Sequence, residues 1–355
     1  MIAIGFTGWY VVVVPLRAEF LDNDLTLVYM AARIGLEHGW SHIYSLSLQH
    51  QTFSELRPRA PWHSGGWFLA TPPYAWLVAP MVPLGANVAV AVWMGAAIVS
   101  LVAAWWLAAP GHGWTRSLWL LGALAWYPVL YALSLVQPDF LVLLIVAAAW
   151  RLSARGRPYL AGAVLGLSAI KPQLVLLLPL VLVASGRWRI AVTWAAVAGA
   201  LGLLALVSLG AGGLGEYRSI LSQAQAIPNN RYFTPAYVLG PGAFGYVFSA
   251  AVILVAVVAG YGNRHAGDAR VFALGLVATT IGATYWHLQD FTMLVLAAWL
   301  FWRDSPPAWQ RWWLLVVVVG GEFAWGLTPL PVLIGVAAWF AFLVAPPKVL
   351  RLQPE

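Results

Sequence analysis

The sequence predicts an all-α polytopic membrane protein with about 10–12 membrane helices, because only helices and closed barrels satisfy their backbone in lipid. Three observations predict it. The 355 residues are 62% hydrophobic and only 9% charged. The apolar residues fall in long runs separated by short polar loops. The charges sort by loop: one set of loops is basic and otherwise bland, and the alternate set holds nearly balanced charges and the chemically capable side chains.

Taken in order, the apolar runs lie at residues 1–16, 85–109, 118–134, 138–152, 159–170, 173–186, 190–210, 237–260, 271–285, 290–302, 312–327 and 330–345. The first reads as a retained anchor: it lacks a basic leader and ends Pro15-Leu16-Arg17, with no small-residue cleavage pattern. Residues 17–73 form a first outer segment. Within it, Leu25, Val28, Tyr29, Ala32 and Leu36 recur at helical spacing, which predicts an interfacial amphipathic helix over 25–38. Thr71-Pro72-Pro73 closes the segment and leads into a re-entrant piece at 74–84. The runs at 159–170 and 173–186 are too short to cross singly and meet at Lys171-Pro172; they read as short helices ending in a cavity, since broken backbone is tolerated only where protein or water covers it. Residues 211–236 read as a second outer loop. No linker or repeat divides the chain, so 1–355 is expected to be one membrane domain.

The bland loops carry Arg116, Arg151, Arg155, Arg157, Arg187, Arg189, Arg264, Arg270, Arg303, Arg311, Lys348 and Arg351 against only Asp268, Asp304 and Glu355. The positive-inside rule makes this set cytoplasmic. The net charge of +7 is therefore a topology signal, and no nucleic-acid partner is expected. The polar set faces the other way, and a multi-pass plasma-membrane protein with an extracytoplasmic site follows as the expectation. The absence of cysteine excludes disulfides and thiolate metal sites. Many of the 22 tryptophans sit near span ends, as interface anchors do.

Asp24 follows the first run. Alone it fits either a helix cap or a reactive carboxylate, and Asp22 fits the cap at least as well. Lys171 and Lys348 are the only lysines, and Lys171 lies inside an apolar stretch, where an ionisable group marks a functional site or else snorkels to the interface. A lysine at a broken helix suits a phosphate. His287, Gln289 and Asp290 cluster between two runs, and Gln137-Pro138-Asp139 forms a tight outer turn. Metal motifs are weak: His38 and His42 have helical zinc spacing without a third ligand, and Asp22-Asn23-Asp24 has only the form of a paired-carboxylate motif. No metal and no cofactor is expected.

These residues also carry a resemblance. Asp24-Leu25-Thr26-Leu27-Val28-Tyr29-Met30-Ala31-Ala32-Arg33 resembles the pattern after the first span of GT-C glycosyltransferases of family 87. Thr71-Pro72-Pro73-Tyr74 with Leu77-Val78-Ala79-Pro80, Gln137-Pro138-Asp139-Phe140-Leu141, Ala169-Ile170-Lys171-Pro172 and Tyr285-Trp286-His287-Leu288-Gln289-Asp290 follow in the family's order. Leu25, Val136 and Asp139 depart from it, and Asn229-Asn230-Arg231 matches loosely. The resemblance implies a GT-C-like bundle with an outer-face cavity. The family includes a polyprenyl-phosphate-mannose-dependent α-mannosyltransferase, so the resemblance implies transfer of a sugar, mannose by that precedent, from a polyprenyl-phosphate donor to a glycolipid or glycan acceptor, with inversion. Asp24 would be the general base, Lys171 and His287 would hold the donor phosphate, and Tyr29, Gln137, Asp139, Asn229, Arg231, Gln289 and Asp290 would contact substrate. The rival class is a secondary transporter or lipid flippase, which would place polar residues at the midplane, often between inverted repeats.

Overall fold

The computed structural model describes residues 20–62, 66–240 and 242–345, with the backbone alone at 228 and 229. The run at 1–16, the tail with Lys348 and Arg351, and the side chain of Asn229 lie outside the described residues. The protein is all-helical, 78% helix with no strand among the described residues, which makes it an all-α membrane protein.

The outer segment begins with α1 (Asp24–His38), one residue from its expected start. Its cap is Asn23, whose side chain accepts from the Thr26 amide, so neither neighbouring aspartate is used for capping. A helix that sequence reading did not anticipate follows, α2 (Leu46–Leu56). The re-entrant piece is α3 (Pro72–Val78), opened by two prolines at positions that need no amide partner, and it tightens into a 3₁₀ stretch, Ala79–Leu84.

The bundle runs through α4 (Ala86–Ala108), α5 (Gly113–Leu124), α6 (Tyr127–Ser134) and α7 (Asp139–Ala154). It continues with α8 (Pro158–Gly166), α9 (Leu178–Ala184), α10 (Trp188–Gln225), α11 (Ala236–Leu239) and α12 (Ala243–Gly262). It ends with α13 (Asp268–Gly282), α14 (Met293–Arg303), α15 (Ala308–Phe323) and α16 (Leu330–Val344). Three described helices, α4, α10 and α12, are long and apolar enough to cross a membrane alone. The run at 118–134 is a pair, α5 and α6, bent by 63°. Between α8 and α9 the chain passes through two 3₁₀ turns, Leu167–Ile170 and Pro172–Val175, on either side of Lys171. The short runs thus meet at a break, where Pro172 supplies no amide.

One expectation is corrected. Residues 211–225 are not loop: α10 continues through them, broken only at Gly210, whose φ of +61° favours glycine. Its glycines weakened the periodic signal that marks a helix. Elsewhere α10 lies close along α8. A Cβ on Gly162 would stand 2.0 Å from Thr193 Oγ1, and one on Gly166 2.5 Å from Val197 Cβ. This i,i+4 glycine pair lets the two backbones approach as in small-residue membrane packing.

The two ends of the bundle differ in chemistry. At one end Arg187 pairs with Asp268 at 2.6 Å, Arg270 with Asp304 at 2.8 Å, and Arg303 donates to the carbonyls of Ala108 and Ala109. The starts of α7 and α1 and the Lys171 break lie at the other end. We expect the basic end to be cytoplasmic. Cysteine labelling on this cysteine-free chain checks it: Arg218→Cys should react with a membrane-impermeant maleimide from outside, and Arg157→Cys only after permeabilisation. The reverse pattern would invert the topology.

Candidate functional site

A cavity of about 420 Å³ opens at the end opposite the basic loops. Asp24, Gln137, Lys171, Arg231, His287, Gln289 and Asp290 all line it. The three residues singled out as its core, Asp24, Lys171 and His287, therefore share one chamber. Its walls are partly aromatic, with Trp67, Phe68, Tyr74, Tyr217, Tyr246 and Tyr285.

Local folding explains how each polar group arrives. Asp24 occupies the first turn of α1, and its amide donates to the Leu135 carbonyl at 3.1 Å, which ties that turn to the end of α6. Gln137 follows two residues later and donates its side-chain amide to Asp24 Oδ2. Lys171 is presented by the break, and the Thr71 hydroxyl braces that break by donating to the carbonyls of Ala169 (2.8 Å) and Ile170 (3.1 Å). His287 caps the 3₁₀ turn Leu288–Thr292: its amide donates to Asp290 Oδ2 at 2.8 Å.

The Lys171 ammonium donates to Asp139 Oδ2 at 2.7 Å and Gln137 Oε1 at 3.2 Å, and it stands 2.6 Å from Asp290 Oδ1. Asp139 and Asp290 are 0% and 1% exposed. Two buried carboxylates thus flank one buried cation. Gln137 links this group to Asp24 by accepting from Lys171 and donating to Asp24. Asp24 is half-buried in the cavity wall. Burial raises its carboxyl to about 6, against the opposing pull of the Lys171 charge and the Gln137 hydrogen bond. Burial also lowers the His287 imidazole below its ordinary value. Its Nε2 lies 3.0 Å from Asn230 Oδ1 and its Nδ1 3.4 Å from the Gln289 amide, which a neutral ring with the proton on Nε2 satisfies.

Some expectations move. Tyr29 is buried behind α1 and is not in the cavity wall; its hydroxyl donates to the Val82 carbonyl at 3.0 Å and holds α1 against the 3₁₀ stretch. Asp139 is fully buried behind Lys171, so its place is that of an ion partner and not of a surface that meets substrate. Asp22 turns away from Asp24 and pairs with Arg57 at 2.8 Å. Asn230, which orients His287 and bonds to the Ala224 carbonyl, was legible only as one of the polar residues of the Asn229-Asn230-Arg231 turn, with no role of its own. The aromatic wall formed by Phe68 and Tyr217, each stacked on Tyr44, was missed.

The fold and the site together define an all-helical membrane protein with a polar, ionisable chamber at one end. The model of glycosyltransferase family 87 matches residues 68–284, and the chain belongs to that family. It is a membrane glycosyltransferase, and this decides for transfer chemistry over transport. No curated protein and no solved structure matches the chain.

Proposed function

We propose that the protein transfers a hexose, mannose by the family resemblance, from a polyprenyl-phosphate donor to a hydroxyl of a glycolipid or glycan acceptor. The reaction takes place on the extracytoplasmic side of the plasma membrane. The observation that carries the reading is Asp24: a carboxylate with a pKa near 6, held by Gln137, in the wall of a cavity at the end away from the basic loops.

The acceptor hydroxyl oxygen attacks the anomeric carbon. The bond from that carbon to the phosphate oxygen breaks, and its electron pair leaves with the polyprenyl phosphate. The hydroxyl proton passes to Asp24, which must be ionised to take it. One in-line displacement inverts the anomeric centre. The cavity's aromatic walls offer apolar faces to a sugar ring.

Incubating the purified protein with radiolabelled polyprenyl-phosphate-mannose and membrane glycolipids tests this reading: label should appear in a glycolipid product. The same assay yields the pH dependence. Protonation removes the base, so kcat/KM should fall as pH drops, with an acid limb centred near 6. An acid limb that persists unchanged in the residual activity of Asp24→Asn would remove Asp24 from that role.

A further inference from the structure

We infer that the donor phosphate is met by Arg231 and not by Lys171, an assignment that rests on the donor reading above. Two full-time cations line the cavity, Lys171 and Arg231. Their surroundings differ.

An ammonium has three N–H donors. Lys171 gives two of its own to Asp139 and Gln137, and the ammonium also stands 2.6 Å from Asp290 in a second ion pair. Two buried carboxylates share this one ammonium, and Asp24 sits one hydrogen-bonded residue away. A phosphate brought to Lys171 would have to displace a buried carboxylate and leave it unpaired, which costs more than the new contact returns. His287 offers little more. Its ring nitrogens are engaged by Asn230 and Gln289, and burial keeps it neutral.

Arg231 is half-buried at the end of the 3₁₀ turn Pro228–Arg231. It spends one nitrogen on the Gln225 carbonyl at 2.7 Å. That carbonyl belongs to the C-terminal turn of α10, whose dipole favours a cation there. No carboxylate pairs with Arg231 among the described residues, so the remaining guanidinium donors are open for an anion. Arg231 also borders the crevice beside α12, with Tyr246 and Thr284 in both linings. The guanidinium thus stands where the chamber meets that crevice, beside one of the described helices long and apolar enough to cross a membrane, a place that suits a headgroup whose tail stays in lipid. A guanidinium matches a phosphate with two parallel donors. The demand on it rises during the reaction, because a singly charged phosphodiester departs as a phosphomonoester with greater negative charge.

The test uses the full-length protein in detergent and two probes, farnesyl phosphate and farnesol, which share a tail and differ in the phosphate. The wild type should bind farnesyl phosphate in preference to farnesol. Arg231→Gln should reduce that preference by about tenfold or more while still binding farnesol, and Arg231→Lys should keep part of it. The paired variant Lys171→Gln with Asp139→Asn preserves the net charge of the buried group and should keep the preference within about twofold. Loss of the preference in the paired variant, or its persistence in Arg231→Gln, would overturn the assignment and leave the donor reading standing. A wild type that binds the two probes equally would remove the donor reading and this inference with it.

Discussion

Asp24→Asn abolishes sugar transfer and leaves the protein folded: this is the expected result with the largest effect on activity. Losing a general base costs roughly 10²–10⁴-fold. Asparagine keeps the shape of the side chain but cannot take a proton. The substitution does not uncap α1, because Asn23 is the cap. Asp22→Asn is the matched control. It removes only a pair with Arg57 whose acidic side chain is 56% exposed, and such exposed pairs contribute little. Radiolabel transfer and thermal unfolding, measured on both variants, check the prediction. Full activity in Asp24→Asn would end the catalytic assignment. Equal losses at both positions, restored by added divalent metal, would point to a metal-dependent mechanism.

The largest effect on stability is expected at Lys171. Lys171→Gln leaves Asp139 and Asp290 facing each other with no cation between them, both almost fully buried. Removing one partner of a buried ion group typically costs about 3–5 kcal/mol. The variant should melt well below the wild type in detergent and accumulate poorly. Adding Asp139→Asn should recover most of the loss, since an amide at that position can donate to Asp290. A single variant that melts with the wild type would mean that the two carboxylates share a proton and do not depend on the lysine.

Much of the architecture was legible because lipid imposes one rule on every span. The run at 85–109 became α4 almost unchanged, and the break between 159–170 and 173–186 fell at Lys171, where a proline and a charge interrupt an apolar stretch. Two segments were not legible. Helix α2 is Leu-Ser-Leu-Gln-His-Gln-Thr-Phe-Ser-Glu-Leu, whose modest apolar content gives little periodic signal. The end of α10 follows a run of glycines that looks like loop composition and still folds as helix. At the site, residue types identified Asp24, Lys171 and His287 as unusual, but not who pairs with whom. Asp139 and Asp290 reach Lys171 from two elements far apart in sequence, and Asn230 reaches His287 from another outer turn. Those are tertiary contacts with no local signature. Tyr29 shows the reverse error: its helical spacing in α1 is real, yet the turn opposite claims its hydroxyl.

The clamp around Asp24 has a consequence for binding entropy. Its backbone is fixed by the Leu135 carbonyl and by the neighbouring Asn23 cap, and its carboxylate is gripped by Gln137, all from within the protein's own fold. A side chain that must be immobilised on binding subtracts about 0.5–1.5 kcal/mol from the association. The proposed base has already given up that freedom during folding, so an arriving acceptor need order only itself. Gln137 is then the residue whose loss would return Asp24 to several rotamers, and the penalty would surface as a less favourable activation entropy with little change in activation enthalpy.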